Sequence, residues 1–249
     1  MEKLCSFDVN KIPKRVNIAT MTLHCKIKDI EINFSNIFDT IEPEKENIGY
    51  MEFRDKIKRH PDVKIQKTRS KKKSTFQNSM SIYVLGIKYV HVNFFRNGTI
   101  HITGAKSIDD VYASIGNMFS RLERSNVDNN LYVGDLVLDS IKISMINVNV
   151  ALDYTLNKSL FKKILYERNI ECLYNKTQNI SLKYPVKDNV ITIIIHMSSI
   201  IISRCRNEEE ITMSYNFVKN LLDSTRRDIF YISVEDICEK NDRIRQLIM

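Results

Sequence analysis

Residues 88–122 read KYVHVNFFRNGTIHITGAKSIDDVYASIGNMFSRL, and this stretch decides the fold. Its first part alternates. Val92, Phe94, Ile100 and Ile102 share one parity, while His91, Asn93, Phe95, Thr99, His101 and Thr103 share the other. That is the period of half-buried strands. Asn97-Gly98 lies between the two runs and predicts a two-residue type I′ hairpin turn, with positive φ at both positions. After Lys106 the period changes. Ile108, Val111, Tyr112, Ile115, Phe119 and Leu122 fall on one face of a 3.6-residue helix. Ser107 and Asp110 form a capping signature at its start.

The pattern occurs twice, offset by 100 residues. Val190–Ile195 and Ile200–Ser203 read as two strands flanking Met197-Ser198-Ser199, Asn207 with Glu210 repeats the capping signature, and Ile211, Tyr215, Val218 and Leu222 repeat the helix face. Met80, Ile82 and Val84 correspond to Ile180, Leu182 and Tyr184. Upstream, a strand at Val16–Ile27 corresponds to one at Lys142–Leu152, and a short helix within Ile30–Ile41 to one within Leu156–Glu167. There Asn17 and Asn147 are 130 residues apart, so the first copy carries about thirty extra residues before Met80. Two copies predict a pseudo-symmetric domain; a solenoid needs three or more repeats.

Along the chain this gives an N-terminal arm (1–14), a first repeat (15–125), a connector (126–139), a second repeat (140–225) and a C-terminal tail (226–249). A charged, basic insertion at about 42–75 lies inside the first repeat, with Pro43, Pro61 and the run Lys67-Thr68-Arg69-Ser70-Lys71-Lys72-Lys73. Such a run reads as a solvated loop; its functional reading is a phosphate-contacting arm through Lys71, Lys72 and Lys73. Val63–Ile65 reads as an edge strand. Each repeat is strand, helix, several antiparallel strands and helix, an α+β pattern in which helices cover one sheet face and leave the other open. By parity the open face of the second copy is expected to carry Ile191, Ile193, Ile195, Ile201 and Ser203. Open faces of this kind mark interaction sites.

The chain has 249 residues, 43% of them hydrophobic, a net charge of +8 and a pI near 9.1. A basic chain suits a polyanionic partner, nucleic acid or an anionic membrane surface. The most apolar run, Val190 to Ile202, is interrupted by His196 and Ser198 and is shorter than the roughly 20 residues of a membrane-spanning helix. The N-terminus lacks a signal peptide's apolar core. Five scattered cysteines without C-x-x-C spacing predict reduced thiols in a cytosolic or nuclear setting. His24, His60, His91, His101 and His196 lack metal-ligand spacing, and no phosphate loop, nucleophile elbow or carboxylate motif is present among only six glycines. The expectation is a chain that is not an enzyme and takes no metal or cofactor.

Phe95-Arg96-Asn97-Gly98, followed by Thr103-Gly104-Ala105-Lys106-Ser107, resembles the F-x-x-G…T-G-A-K-S signature of the TATA-box-binding proteins. With the tandem repeat, the resemblance covers roughly Val16 to Ser224. It is nearest in character to the divergent TATA-binding-protein-like factors of large cytoplasmic DNA viruses, of the African swine fever virus and giant-virus type. The resemblance implies a saddle: one curved antiparallel sheet with helices on its convex side and its concave face on the DNA minor groove. In the family, asparagines read the acceptor-only edge of A·T pairs, and phenylalanines wedge between base steps and kink the duplex.

Carried over to this sequence, Phe95 takes the position of a kinking Phe and Phe76 that of a second wedge. Thr103 matches the groove-facing threonine. Asn17 and Asn147 lie at, or one residue from, the asparagine positions, and a slip of one residue turns them to the other face. His101 and Ile201 stand at an apolar contact position. In the second copy Ile195 stands where a Phe is expected, Lys176 falls opposite Phe76, and Ser203-Arg204-Cys205-Arg206 replaces T-G-A-K. These departures predict asymmetric DNA binding dominated by the first copy. The implied function is a general transcription factor that bends AT-rich promoter DNA and recruits a factor-IIB-like protein and RNA polymerase. Its implied setting is a viral factory in host cytoplasm or the virion, with the nucleus as a further location. One alternative is a saddle-fold protein-interaction platform in a viral transcription complex. Another is a saddle that binds nucleic acid without sequence preference through residues 67–73.

Overall fold

A computed structural model describes residues 4–64, 78–174 and 179–229. In chain order the elements are β1 (Val16–Ile27), β2 (Glu31–Ile32), α1 (Phe34–Thr40), β3 (Ile48–Phe53), β4 (Lys56–Arg59), β5 (Ser79–Leu85), β6 (Tyr89–Phe95), β7 (Thr99–Ala105) and α2 (Ile108–Asn126). Then follow β8 (Tyr132–Val133), β9 (Leu138–Ala151), α3 (Lys158–Glu167), β10 (Cys172–Tyr174), β11 (Ile180–Val186), β12 (Asn189–Ile195), β13 (Ser199–Cys205) and α4 (Glu208–Ile229). Two compact units result: residues 1–9 with 18–147, and residues 10–17 with 148–249.

In the first unit the strand order is β1-β7-β6-β5-β3-β4, every pairing antiparallel. The alternation seen in the sequence sets the faces. Leu23, Ile102, Val92, Ile82 and Met51 are cross-strand partners in one buried row. Over this face lie α1 and α2, which contribute Phe34 and Ile37, and Val111, Ile115, Met118 and Leu122. The Phe34 ring packs on those of Phe53 and Phe94 at 5.7 Å. Each such fully buried side chain is worth about 1.5–3 kcal/mol of hydrophobic transfer.

The stretch expected as one charged insertion contains two strands. Ile48–Phe53 forms β3, paired with β5, and Lys56–Arg59 forms β4, paired with β3. The β3 side chains alternate as strictly as those of β6, with Ile48, Met51 and Phe53 buried, but the surrounding charge hides that pattern. β10 holds the corresponding place beside β11 in the second unit, and among the described residues of that unit no strand corresponds to β4. Val63 is buried but belongs to no strand. Lys71, Lys72, Lys73, Phe76 and Lys176 lie outside the described residues, as do Ile65 and the tail beyond Ile229.

The Asn97-Gly98 turn is not type I′. Only Gly98 takes positive φ, +77°, and its N–H donates to the Phe95 carbonyl at 3.0 Å. Phe94 pairs with Ile100, which leaves a three-residue loop, Arg96 to Gly98. In the second unit Ile195 pairs with Ile200, and the His196 N–H donates to the Ser199 carbonyl at 2.8 Å, so that loop is Met197-Ser198. One residue fewer in the second loop breaks the 100-residue offset inside the hairpin. The offset holds for β7 and β13 and becomes 101 for β6 and β12.

The second unit has strand order β13-β12-β11-β10. Its buried row runs Leu182, Ile193, Ile202, flanked by Ile180, Ile195 and Ile200. Phe161 and Leu165 from α3, and Ile211, Val218 and Leu222 from α4, are buried with them. The expected placement of Ile191, Ile193 and Ile195 on the open face is therefore wrong. All three are fully buried, and Thr192 and Ile194 take the opposite parity.

Both long helices begin on the same device. Ser107 Oγ accepts the Asp110 N–H at 3.1 Å, and Asn207 Oδ1 accepts the Glu210 N–H at 2.9 Å, as the capping signatures predict. The acidic residues do more than complete a capping box. Buried Asp110 accepts from the Lys106 N–H at 3.4 Å and, across the β5–β6 turn, from the Ile87 N–H at 2.8 Å. Buried Glu210 accepts from the Arg206 N–H at 2.7 Å and from Asn189 Nδ2 at 2.8 Å. Each carboxylate thus fastens a helix start to the preceding hairpin.

Candidate nucleic-acid interface

The face of the first unit turned away from α1 and α2 carries two rows of cross-strand partners. One runs Tyr50, Tyr83, His91, Thr103, Thr22 across β3, β5, β6, β7 and β1. The other runs Glu52, Ser81, Asn93, His101, His24 across the same strands. Phe95 stands at the end of β6 with the same parity, and its ring lies 4.8 Å from that of His101. Most of these side chains are half-buried and His24 is exposed.

The rings touch along both rows. Tyr50 meets Tyr83 edge-on at 5.4 Å, Tyr83 meets His91 at 4.9 Å, and His24 stacks on His101 at 4.0 Å with the planes 14° apart. Hydrogen bonds tie the first row together. His91 Nε2 is 2.6 Å from Ser81 Oγ, and its Nδ1 is 3.3 Å from Thr103 Oγ1. The Tyr50 hydroxyl donates to Glu52 at 2.6 Å. Burial pushes the Tyr50 and Tyr83 phenols up, with Glu52 adding to the effect. Burial holds the His91 imidazole below its ordinary value against the pull of Glu52. His101 is lowered too, by burial and by neighbouring His24. The face is therefore mostly rings and hydroxyls, with the Glu52 carboxylate at its β3 end and no cation among the two rows, which matches a groove floor better than a phosphate ridge.

Of the residues expected here, Phe95, His101 and Thr103 lie together on this face. Asn147 also has the open-face parity of β9, opposite to Ile146 and Val148, and its Nδ2 donates to Thr20 Oγ1 at 3.1 Å. Asn17 does not follow. It shares the parity of buried Met21 and Leu23 and is exposed near the start of β1, the one-residue slip that turns a side chain over. Gly104 takes φ +92° where β7 bulges against Met21 and Thr22. Arg204 takes φ +76° at the same place in the second unit, so the loss of T-G-A-K leaves the backbone course intact at the cost of a strained arginine.

The uncovered face of the second unit is built differently. Ile201 and Ser203 lie on it as expected, with Ser181, Lys183, Thr192 and Ile194, whereas Ile195 lies in the core. Ile194 pairs with Ser181 and Ile201, and the Lys183 ammonium donates to Thr192 Oγ1 at 2.7 Å. There is no aromatic ring among these residues. Arg206 is bound to Asp188 at 2.8 Å and to Glu210 at 3.0 Å, which leaves little of its charge for a phosphate.

Tyr50, Tyr83, Asn93 and His24 are members of the face that motif reading missed. Alternation in β1, β5 and β6 marked three of them. Tyr50 was hidden in the charged stretch. Among the described residues no group of His, Cys, Asp and Glu is arranged to hold a metal ion, and no helix is long and apolar enough to cross a membrane.

Comparison with known proteins agrees with this architecture. No protein-family model matches the chain. A "TATA-box-binding protein-like" protein of Acanthamoeba polyphaga mimivirus is 24% identical over 241 residues, covering 83% of this chain and 65% of its own length. The chain thus spans just under two thirds of that relative. Methanococcus jannaschii TBP superposes with a TM-score of 0.59 at 17% identity, over 84% of this chain and 98% of the archaeal one. The α+β fold of two repeats expected from the sequence is the fold of that archaeal protein. The resemblance to the TATA-box-binding proteins is thus shown in sequence by the viral protein and in fold by the archaeal one.

Proposed function

We propose that this TATA-binding-protein-like chain is a transcription factor that lays its open sheet face in the minor groove of AT-rich duplex DNA and bends it. The observation that carries the reading is Phe95, held on the uncovered face beside His101 and on the same side of the sheet as the threonine of the T-G-A-K segment. An apolar ring so placed can part a base step, and the unstacking energy is recovered through the wider contact that bent DNA offers. The rings and hydroxyls around it suit a groove edge that distinguishes mainly A·T from G·C. The first repeat supplies most of the contact, because the second offers Ile201 in the place of His101 and Ile194 in the place of Asn93. In this reading a factor-IIB-like protein and RNA polymerase follow the chain to the promoter, in a viral factory or virion.

The test is energy transfer across end-labelled duplexes, AT-rich against GC-rich, at several salt concentrations. AT-preferred binding with the duplex ends drawn together is the expected result. Phe95→Ala should remove the bend and weaken binding by about 1–3 kcal/mol, the usual worth of one aromatic stacked on a base. Binding without preference or bending would sink the proposal. A second reading, an interaction platform without DNA bending, is favoured by the aliphatic face of the second unit and by the internal pairing of Arg206. It predicts that a factor-IIB-like partner is retained by a chain that leaves the duplex straight.

A further inference from the structure

We propose that Asn93 is the residue through which the first repeat distinguishes A·T from G·C pairs; the inference rests on the minor-groove reading above. The argument is an account of hydrogen bonds. On the open face Ser81, His91 and Thr103 are engaged with one another, Tyr50 with Glu52, and Asn147 with Thr20. His24 and His101 are stacked face to face. Asn93 lies in the middle of the second row, between its partners Ser81 on β5 and His101 on β7. It is half-buried, and its carboxamide has no hydrogen-bond partner among the described residues.

A carboxamide offers two N–H donors and one acceptor. At an A·T pair the minor groove presents only the acceptors adenine N3 and thymine O2, and at a G·C pair the guanine amine projects between them. The Asn93 NH2 group can donate to the first edge; at the second it meets another donor, and turning the carboxamide oxygen toward the guanine amine gives up the NH2 donation. Asn17, on the opposite parity, cannot take this part.

The experiment measures equilibrium binding of the full chain to three duplexes at one salt concentration: all A·T, all G·C, and the G·C duplex with guanine replaced by inosine, which lacks the amine. Wild type is expected to bind the A·T and inosine duplexes alike and the G·C duplex less well. Asn93→Ala should lower the A·T to G·C ratio by about tenfold, the discrimination of one good base contact, and leave bending in place. Near-isosteric Asn93→Asp, which offers acceptors only, should lose the same preference. It answers the question even if the alanine variant does not fold. A preference for A·T that survives both substitutions overturns the assignment of Asn93 alone. Absence of duplex binding by the wild type overturns the minor-groove reading and this inference with it.

Discussion

Phe94 and Phe95 are neighbours in sequence and meet opposite environments. Phe94 is buried against Phe34, and Phe95 faces outward beside His101. Parity alone separates them, which is why the sequence marks Phe95 as a candidate contact. For His91 and His101 the sequence marks the face but not the charge. Their folded values lie below the ordinary one, because burial disfavours the imidazolium. The unfolded chain therefore takes up protons first as pH falls. The stability these groups contribute is complete above the ordinary histidine pKa of about 6.5 and is lost as pH drops through it toward the folded values. The melting temperature should fall as the pH is lowered from neutrality into this range. His91→Gln, which keeps hydrogen-bonding groups near Ser81 and Thr103, should flatten that fall; an unchanged profile would show that His91 is not the group responsible.

At the scale of elements, the helix starts depend on two buried carboxylates. Replacing Asp110 by Ala leaves the N–H groups of Ile87, Lys88 and Lys106 without their acceptor. The expected cost is about 2–3 kcal/mol, read as a lowered denaturation midpoint. Gly86 belongs to the same device. A Cβ there would sit 2.5 Å from Asp110 Oδ1 and 2.6 Å from its carbonyl oxygen. Gly86→Ala should consequently destabilise by about 1–3 kcal/mol, whereas Gly116→Ala, with open space around the new atom, should not destabilise by crowding. Sequence patterning located both helices and their caps. It could not show the carboxylates reaching across to the hairpins, because nothing in local spacing brings residue 87 beside residue 110. The hairpin loops make the same point. A difference of one residue between Arg96–Gly98 and Met197–Ser198 moved Ile195 from an expected DNA contact into the core.

For the whole molecule, Arg206, Lys187, Lys219 and Arg121 are held in pairs with carboxylates, and the excess of +8 resides in cations beyond such pairs. Charge outside those pairs includes Lys71, Lys72 and Lys73, which lie outside the described residues. If they contact phosphates, binding falls with salt at a slope of about −0.9 per phosphate neutralised. Replacing all three by Gln should then reduce the slope by up to about three while leaving the A·T preference unchanged. An unaltered slope would remove the run from the interface. The two units also differ in what their open faces offer, rings and histidines in one and aliphatic groups in the other. Substitutions in the first unit should therefore affect DNA binding more than matching ones in the second.

Alternation, helical period and the duplication are properties of neighbouring residues, so the sequence by itself determined the α+β repeat, its helix-covered core and the outward parity of Phe95, His101 and Thr103. Register is not such a property. Whether Asn17 or Ile195 faces outward depends on loop length and on pairing between strands far apart in the chain, and a shift of one residue reverses every side chain. Tertiary structure alone decided those two positions, drew Tyr50 out of a charged stretch onto the face, and left the Asn93 carboxamide without a partner among the described residues at its centre.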